Sequence, residues 1–211
     1  MLISPSTLKE PEEAIGAAQL VGRNKIVQAL LEQLRKGRSA ILVGAAGVGK
    51  TAILRAVAER ASKARDPHRP IYCGQGSTLK AILTSLARQL LILEAPQITR
   101  SEGTLGRLSV GKLKRFVLPR LRSGRYALLL DHFGLVRGAY ATFLEELTDR
   151  ARVPVVFAVR SLDPRESGRP WWIAVGLETV EVPPLSPGEA RRFPLKGPVP
   201  VIPGRRGKTE A

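Results

Sequence analysis

The chain has 211 residues, 44% of them hydrophobic, and a formal net charge of +16 at pH 7. Such a length accommodates one domain of ordinary size, and such an apolar content excludes wholesale disorder. The single cysteine, Cys73, excludes an internal disulfide, and no apolar run reaches the roughly 18 residues that a membrane helix needs. A soluble, cytoplasmic protein with no membrane partner is therefore expected, and residues 1–11 carry no signal-peptide pattern.

Residues 1–19 read as a polar lead-in containing Glu10, Glu12 and Glu13. A helix is expected to start near Leu20-Val21-Gly22-Arg23-Asn24, with Ile26, Ala29, Leu30 and Leu34 on one face and Gly37 at its end. Ser39–Val43 then reads as a short buried strand and Thr51–Lys63 as a helix. Between them stands Gly44-Ala45-Ala46-Gly47-Val48-Gly49-Lys50-Thr51, which fits G-x-x-x-x-G-K-[ST] at every defined position. Strand, glycine loop and helix come in the order that phosphate binding requires. Glycines let successive N–H groups point inward, and the helix N-terminus adds its partial positive charge. The stretch is the predicted nucleoside triphosphate site, with Lys50 on the β- and γ-phosphates and the Thr51 hydroxyl on Mg²⁺.

Arg69–Cys73 is the next expected strand, followed by a turn at Gly74-Gln75-Gly76. Ser77 is placed as the N-cap of a helix carrying Leu79, Ile82, Leu83, Leu86 and Leu90. Leu105, Leu108, Leu113, Val117 and Leu121 suggest another helix, which Pro119 should bend or break. Tyr126–Leu130 reads as an apolar strand ending on the carboxylate of Asp131. A helix over 139–151 with Phe143, Leu144 and Leu147 inward precedes a strand from Pro154 to Val159 that ends at Arg160. After a charged loop over 161–170, Leu177–Val182 is a last strand, and a helix is expected to begin within 183–190. Alternating strands and helices of these lengths specify a three-layer α/β fold with a mostly parallel sheet.

Asp131 is the second anchor of the expected site. A carboxylate at the end of a buried strand, some 80 residues beyond the glycine loop, stands where it can hold Mg²⁺ directly or through water. His132 follows it, and since a neutral imidazole is a weaker base than a fixed negative charge, either His132 takes part in slow hydrolysis or the site mostly binds. Arg160 is placed to reach a γ-phosphate oxygen. Arg165 and Arg169 are weaker candidates for action across a subunit interface. Trp171-Trp172 reads as a core or interface anchor rather than a base-stacking platform.

The positive charge is regional. Residues 103–130 hold seven basic side chains (Arg107, Lys112, Lys114, Arg115, Arg120, Arg122 and Arg125) and no acid, and residues 191–211 hold a net five, so these segments supply twelve of the sixteen charges. Nucleic acid is one partner such a footprint suits, although solvated faces are the plainer reading.

These motifs resemble the AAA+/STAND-like P-loop ATPases over roughly residues 20–190. Leu20-Val21-Gly22-Arg23 is similar to the box that precedes the P-loop and packs near the adenine in that group. Gly44–Thr51 matches its Walker A and Leu128–Asp131 its Walker B. Arg160 falls at its sensor 1, where an arginine is similar to the STAND branch, and residues 183–190 resemble the step into its helical lid. The resemblance implies a five-stranded sheet of order 5-1-4-3-2, ATP and Mg²⁺ at its C-terminal edge, and ATP-driven assembly with a second copy or a partner protein. His132 departs from the pattern, and residues 191–211 form a Pro/Gly/basic tail where lid helices are expected, which suggests truncation or a frame change. The reading that results is a nucleotide-dependent switch with weak ATP hydrolysis at most. The alternatives are a DNA-binding ATPase helper of the transposition or replication-loading type and a degenerate nucleotide-binding adaptor.

Overall fold

In a computed structural model the described residues are 22–64, 66–74, 78–94, 105–132, 138–161 and 177–190. Five strands form one sheet: β1 (Ala40–Val43), β2 (Arg69–Cys73), β3 (Tyr126–Leu130), β4 (Val155–Val159) and β5 (Glu178–Glu181). Their order is β2-β3-β4-β1-β5, and each pairing is parallel. This is the expected order read from the other edge. Every strand therefore ends at the same edge of the sheet.

Burial alternates along the strands between two apolar layers. Ile41, Leu128, Leu130, Val155, Phe157 and Val159 face the layer formed with α3 (Leu79–Glu94), α4 (Val110–Leu121) and α5 (Ala139–Glu145). Ala40, Leu42, Ala127, Leu129, Val156 and Ala158 face the layer formed with α1 (Asn24–Arg35) and α2 (Lys50–Lys63). Central strands covered on both faces need continuous apolar runs, and YALLL and VVFAV supply them. The outermost strand β5, by contrast, is mostly exposed.

Several local expectations are sharpened. The apolar face of α1 is Val27, Leu30, Leu31 and Leu34, one step round from the expected Ile26 and Ala29. Gly37 does end the segment, at φ 67°, where Gly37 N donates to the Leu34 carbonyl. Ser77 lies outside the described residues, and Thr78 does the capping: its hydroxyl accepts from Ala81 N at 3.1 Å. α4 runs through Pro119 to Leu121. The proline sits in the last turn, where one missing N–H does not end a helix already held by Leu113, Val117 and Leu121 in the core. The helix expected over 139–151 splits into α5 and a π-turn at Glu146–Arg150, closed by Ala151 N donating to the Glu146 carbonyl. Past β5, Pro187–Ala190 forms a single turn, α6. No helix among the described residues is long and apolar enough to cross a membrane.

Candidate nucleotide-binding site

The glycine loop leaves β1 at the C-terminal edge and enters α2 at Lys50. Its glycines are required for two different reasons. Gly47 (φ 80°) and Gly49 (φ 97°) hold left-handed backbone that other residues resist. Gly44 is required by space, because a Cβ there would lie 2.9 Å from the Val182 carbonyl oxygen and 2.9 Å from Val48 Cγ2. Ala45, Ala46 and Gly47 are exposed, so the loop opens to solvent. Lys50 Nζ turns back on the loop, donating to the carbonyls of Gly44 at 2.6 Å and Ala45 at 2.8 Å. Partial burial draws the Lys50 ammonium below its ordinary pKa; the Asp131 charge opposes the shift and the Arg160 charge adds to it. Lys50 thus lies within the electrostatic reach of both Asp131 and Arg160. Thr51 occupies the second position of α2.

Asp131 follows the last residue of β3, and its side chain is 1% exposed. Its backbone N donates to the Cys73 carbonyl at 2.9 Å, which pins it beside the end of β2. One carboxylate oxygen, Oδ1, accepts from His132 N at 2.8 Å, and Oδ2 accepts from the Tyr72 hydroxyl at 2.9 Å. Among the described residues neither lysine nor arginine forms an ion pair with it; His132 Nε2, 3.6 Å from Oδ2, is its salt-bridge neighbour. Two donors leave acceptor capacity on the Asp131 carboxylate, which fits a group that also meets a cation or its water. His132 itself is half exposed, and its backbone sits at φ 50°. Such a conformation is uncommon for a residue with a side chain. Tyr72 is the residue that motif reading passed over: it reads as an ordinary strand position and becomes a partner of Asp131 only through the parallel register of β2 and β3.

Arg160 stands directly after β4 and is exposed at the same edge. Val21 lies outside the described residues. Gly22 adopts φ 72° ahead of α1, and Arg23 is buried, at 6% exposure. Its guanidinium donates to the Pro183 carbonyl at 2.5 Å and reaches the Val48 carbonyl at 3.5 Å. Arg23 therefore clamps the glycine loop to the chain leaving β5. Arg165, Arg169, Trp171, Trp172 and the tail over 191–211 lie outside the described residues.

The basic segment is partly neutralised by its neighbours. Arg120 pairs with Glu94 at 3.0 Å and lies over the Phe116 ring, Arg122 pairs with Glu146 at 2.7 Å, and Lys114 lies over the Phe143 ring. Arg107, Lys112 and Arg115 are exposed on and before the first half of α4, while Arg125 is exposed at the start of β3, the opposite end of the sheet from the loop. A cavity of about 450 Å³ at that opposite end, among Gln33, Arg38, Ser39, Arg152 and Glu178, holds none of the expected site residues.

Residues 19–159, two thirds of the chain, match the model of the AAA ATPase domain family. The chain belongs to that family. This AAA ATPase domain is also similar in fold to the Aeropyrum pernix ORC1 protein, solved in complex with DNA, at 23% identity and a TM-score of 0.57; the match covers 82% of this chain and 48% of that one. Cdc6p from Pyrobaculum aerophilum is similar at 24% identity and a TM-score of 0.53, over 88% of this chain and 49% of that one. The AAA ATPase domain spans about half the length of these solved structures, and at such identities they speak for the fold. No curated protein matches it.

Proposed function

We propose that this AAA ATPase domain binds ATP with Mg²⁺ between the Gly44–Thr51 loop and Asp131, and acts as a nucleotide-dependent switch with slow hydrolysis. The observation that carries the reading is the convergence of the glycine loop, Lys50, the buried Asp131 and Arg160 at one edge of a parallel sheet. Gly44–Gly49 would present backbone N–H groups to the phosphates, and Lys50 would exchange its two carbonyl partners for phosphate oxygens. Thr51 and Asp131 would hold Mg²⁺, which when bound neutralises phosphate charge. Gly22 and Arg23 would border the nucleotide from the start of α1, as the family resemblance implies. Arg160, at the sensor 1 position, would register the γ-phosphate in the manner of the STAND branch. His132 lacks the fixed negative charge of a strong base, which supports slow turnover.

Calorimetry of Mg-ATP binding tests the assignment. Wild type is expected to bind and Lys50→Ala to lose binding; equal affinity in the two proteins would refute it. A second reading, a DNA-binding ATPase helper, is favoured by the exposed Arg107, Lys112 and Arg115, and the similar ORC1 protein was solved with DNA. It predicts a gel shift that weakens steeply with salt and falls in the double variant Lys112→Glu, Arg115→Glu. Absence of any shift at low salt removes it. Assembly with a second copy or a partner protein on ATP binding belongs to the same proposal, and gel filtration with and without ATP reads it.

A further inference from the structure

Tyr72 is the group at this edge to which neither the loop motif nor the family resemblance gives a role. Its hydroxyl donates to Asp131 Oδ2 at 2.9 Å, across 59 positions of sequence. Three elements fix the tyrosine itself. Gln89 Nε2 of α3 donates to the Tyr72 backbone carbonyl at 2.6 Å. The Arg55 guanidinium of α2 lies over the ring, 5.7 Å from its centroid, five residues beyond Lys50. The next residue of β2, Cys73, accepts from Asp131 N through its carbonyl. A half-buried tyrosine hydroxyl tends to find a partner, and the bland account is that Asp131 is simply the nearest acceptor. The bond nevertheless selects one oxygen of a carboxylate whose other oxygen is already held by His132 N, so between them they define the orientation of the group.

We propose that Tyr72 is a positioning residue, holding the Asp131 carboxylate in the orientation that Mg²⁺-dependent nucleotide binding uses and linking it through Arg55 to the helix that carries Lys50. The proposal rests on the nucleotide reading above. A carboxylate has about four acceptor sites, so two donors leave room for a cation or its water. Removing the hydroxyl frees the side chain to rotate, and the loss should fall on the metal-dependent part of binding alone.

The test is calorimetric titration with ATP, once with excess Mg²⁺ and once with EDTA, on wild type, Tyr72→Phe, Asp131→Asn and the double variant. Phenylalanine keeps the ring that Arg55 covers, and thermal unfolding verifies that each variant is folded. The gain in ATP affinity conferred by Mg²⁺ should shrink roughly ten- to hundredfold in Tyr72→Phe, the size expected for a hydrogen bond to a charged group. Its metal-free affinity should stay within about twofold of wild type, because the phosphate-binding loop is untouched. Asp131→Asn should lose the gain, and adding Tyr72→Phe to it should change nothing more. A full Mg²⁺ gain in Tyr72→Phe overturns the proposal and leaves the nucleotide site standing. So does a loss of equal size with and without Mg²⁺, which marks a merely structural role. Wild type that binds no ATP, or gains nothing from Mg²⁺, removes the nucleotide reading and this one with it.

Discussion

Replacing Gly44 by alanine introduces one methyl group at the tightest point of the loop. The new Cβ would lie 2.9 Å from the Val182 carbonyl oxygen, 2.9 Å from Val48 Cγ2 and 3.1 Å from Val182 Cβ. Val182 cannot retreat freely, since its N–H donates to the Val43 carbonyl at 2.8 Å and its side chain is buried. Either the seam between β1 and the chain leaving β5 opens, or Val48 shifts and carries the loop with it. Overpacking of this kind costs about 1–3 kcal/mol. For a chain of this length each kcal/mol lowers the melting temperature by about 2–4 °C, so a fall of roughly 2–12 °C is expected. Because the displaced atoms are those of the phosphate loop, ATP affinity should fall at least tenfold as well. Scanning calorimetry with and without Mg-ATP reads both effects. Gly47→Ala is the control: it meets no atom within 4 Å but must adopt φ 80°, so it should cost only about 1–2 kcal/mol of backbone strain. Unchanged melting and affinity in Gly44→Ala would refute the close-contact argument.

Three other outcomes are expected. His132→Glu supplies fixed negative charge next to Asp131 and should raise phosphate release by about tenfold or more, given what a positioned base contributes; no acceleration would place His132 away from the attacking water. Burial pushes the Cys73 thiol up from 9.0 to about 11, so native protein at pH 8 should react with a thiol reagent roughly a hundredfold more slowly than protein in urea. The folded pKa is the raised one, so the stability it supports is complete below pH 9 and is lost as pH rises through 11, by roughly 3 kcal/mol in all. Denaturant midpoints across that range check the sign, and a midpoint that rises with pH contradicts it. Arg23→Ala removes the clamp on the Val48 and Pro183 carbonyls and should weaken ATP binding and lower the melting temperature together; loss of neither would show that the clamp is dispensable.

The elements that sequence placed well are those whose signal is local. The loop motif, the apolar runs YALLL and VVFAV and the glycine at Gly37 each report on neighbours a few residues away. The place of Asp131 at the end of β3 was legible because the apolar run before it is local and unbroken. Tyr72 was not, because its partner is 59 residues distant and the pairing exists only once β2 and β3 lie in register. Arg23 reaches across 160 positions to Pro183, so its burial had no local sign either. The basic segment looked uniformly cationic, yet Glu94 and Glu146, from α3 and the π-turn, neutralise Arg120 and Arg122. Charge counted along a chain does not include acids that other elements bring to it. Pro119 does not break α4, because it stands two residues from the helix end, a position that the pattern of apolar residues alone did not fix.

A crystal structure with Mg²⁺ and a non-hydrolysable ATP analogue would show whether ATP sits between the Gly44–Thr51 loop and Asp131. The expected result is phosphates cradled by the loop N–H groups, Lys50 Nζ moved from the Gly44 and Ala45 carbonyls onto phosphate oxygens, and Mg²⁺ beside Thr51 and Asp131. A nucleotide bound elsewhere, with Lys50 still on those two carbonyls, would contradict it.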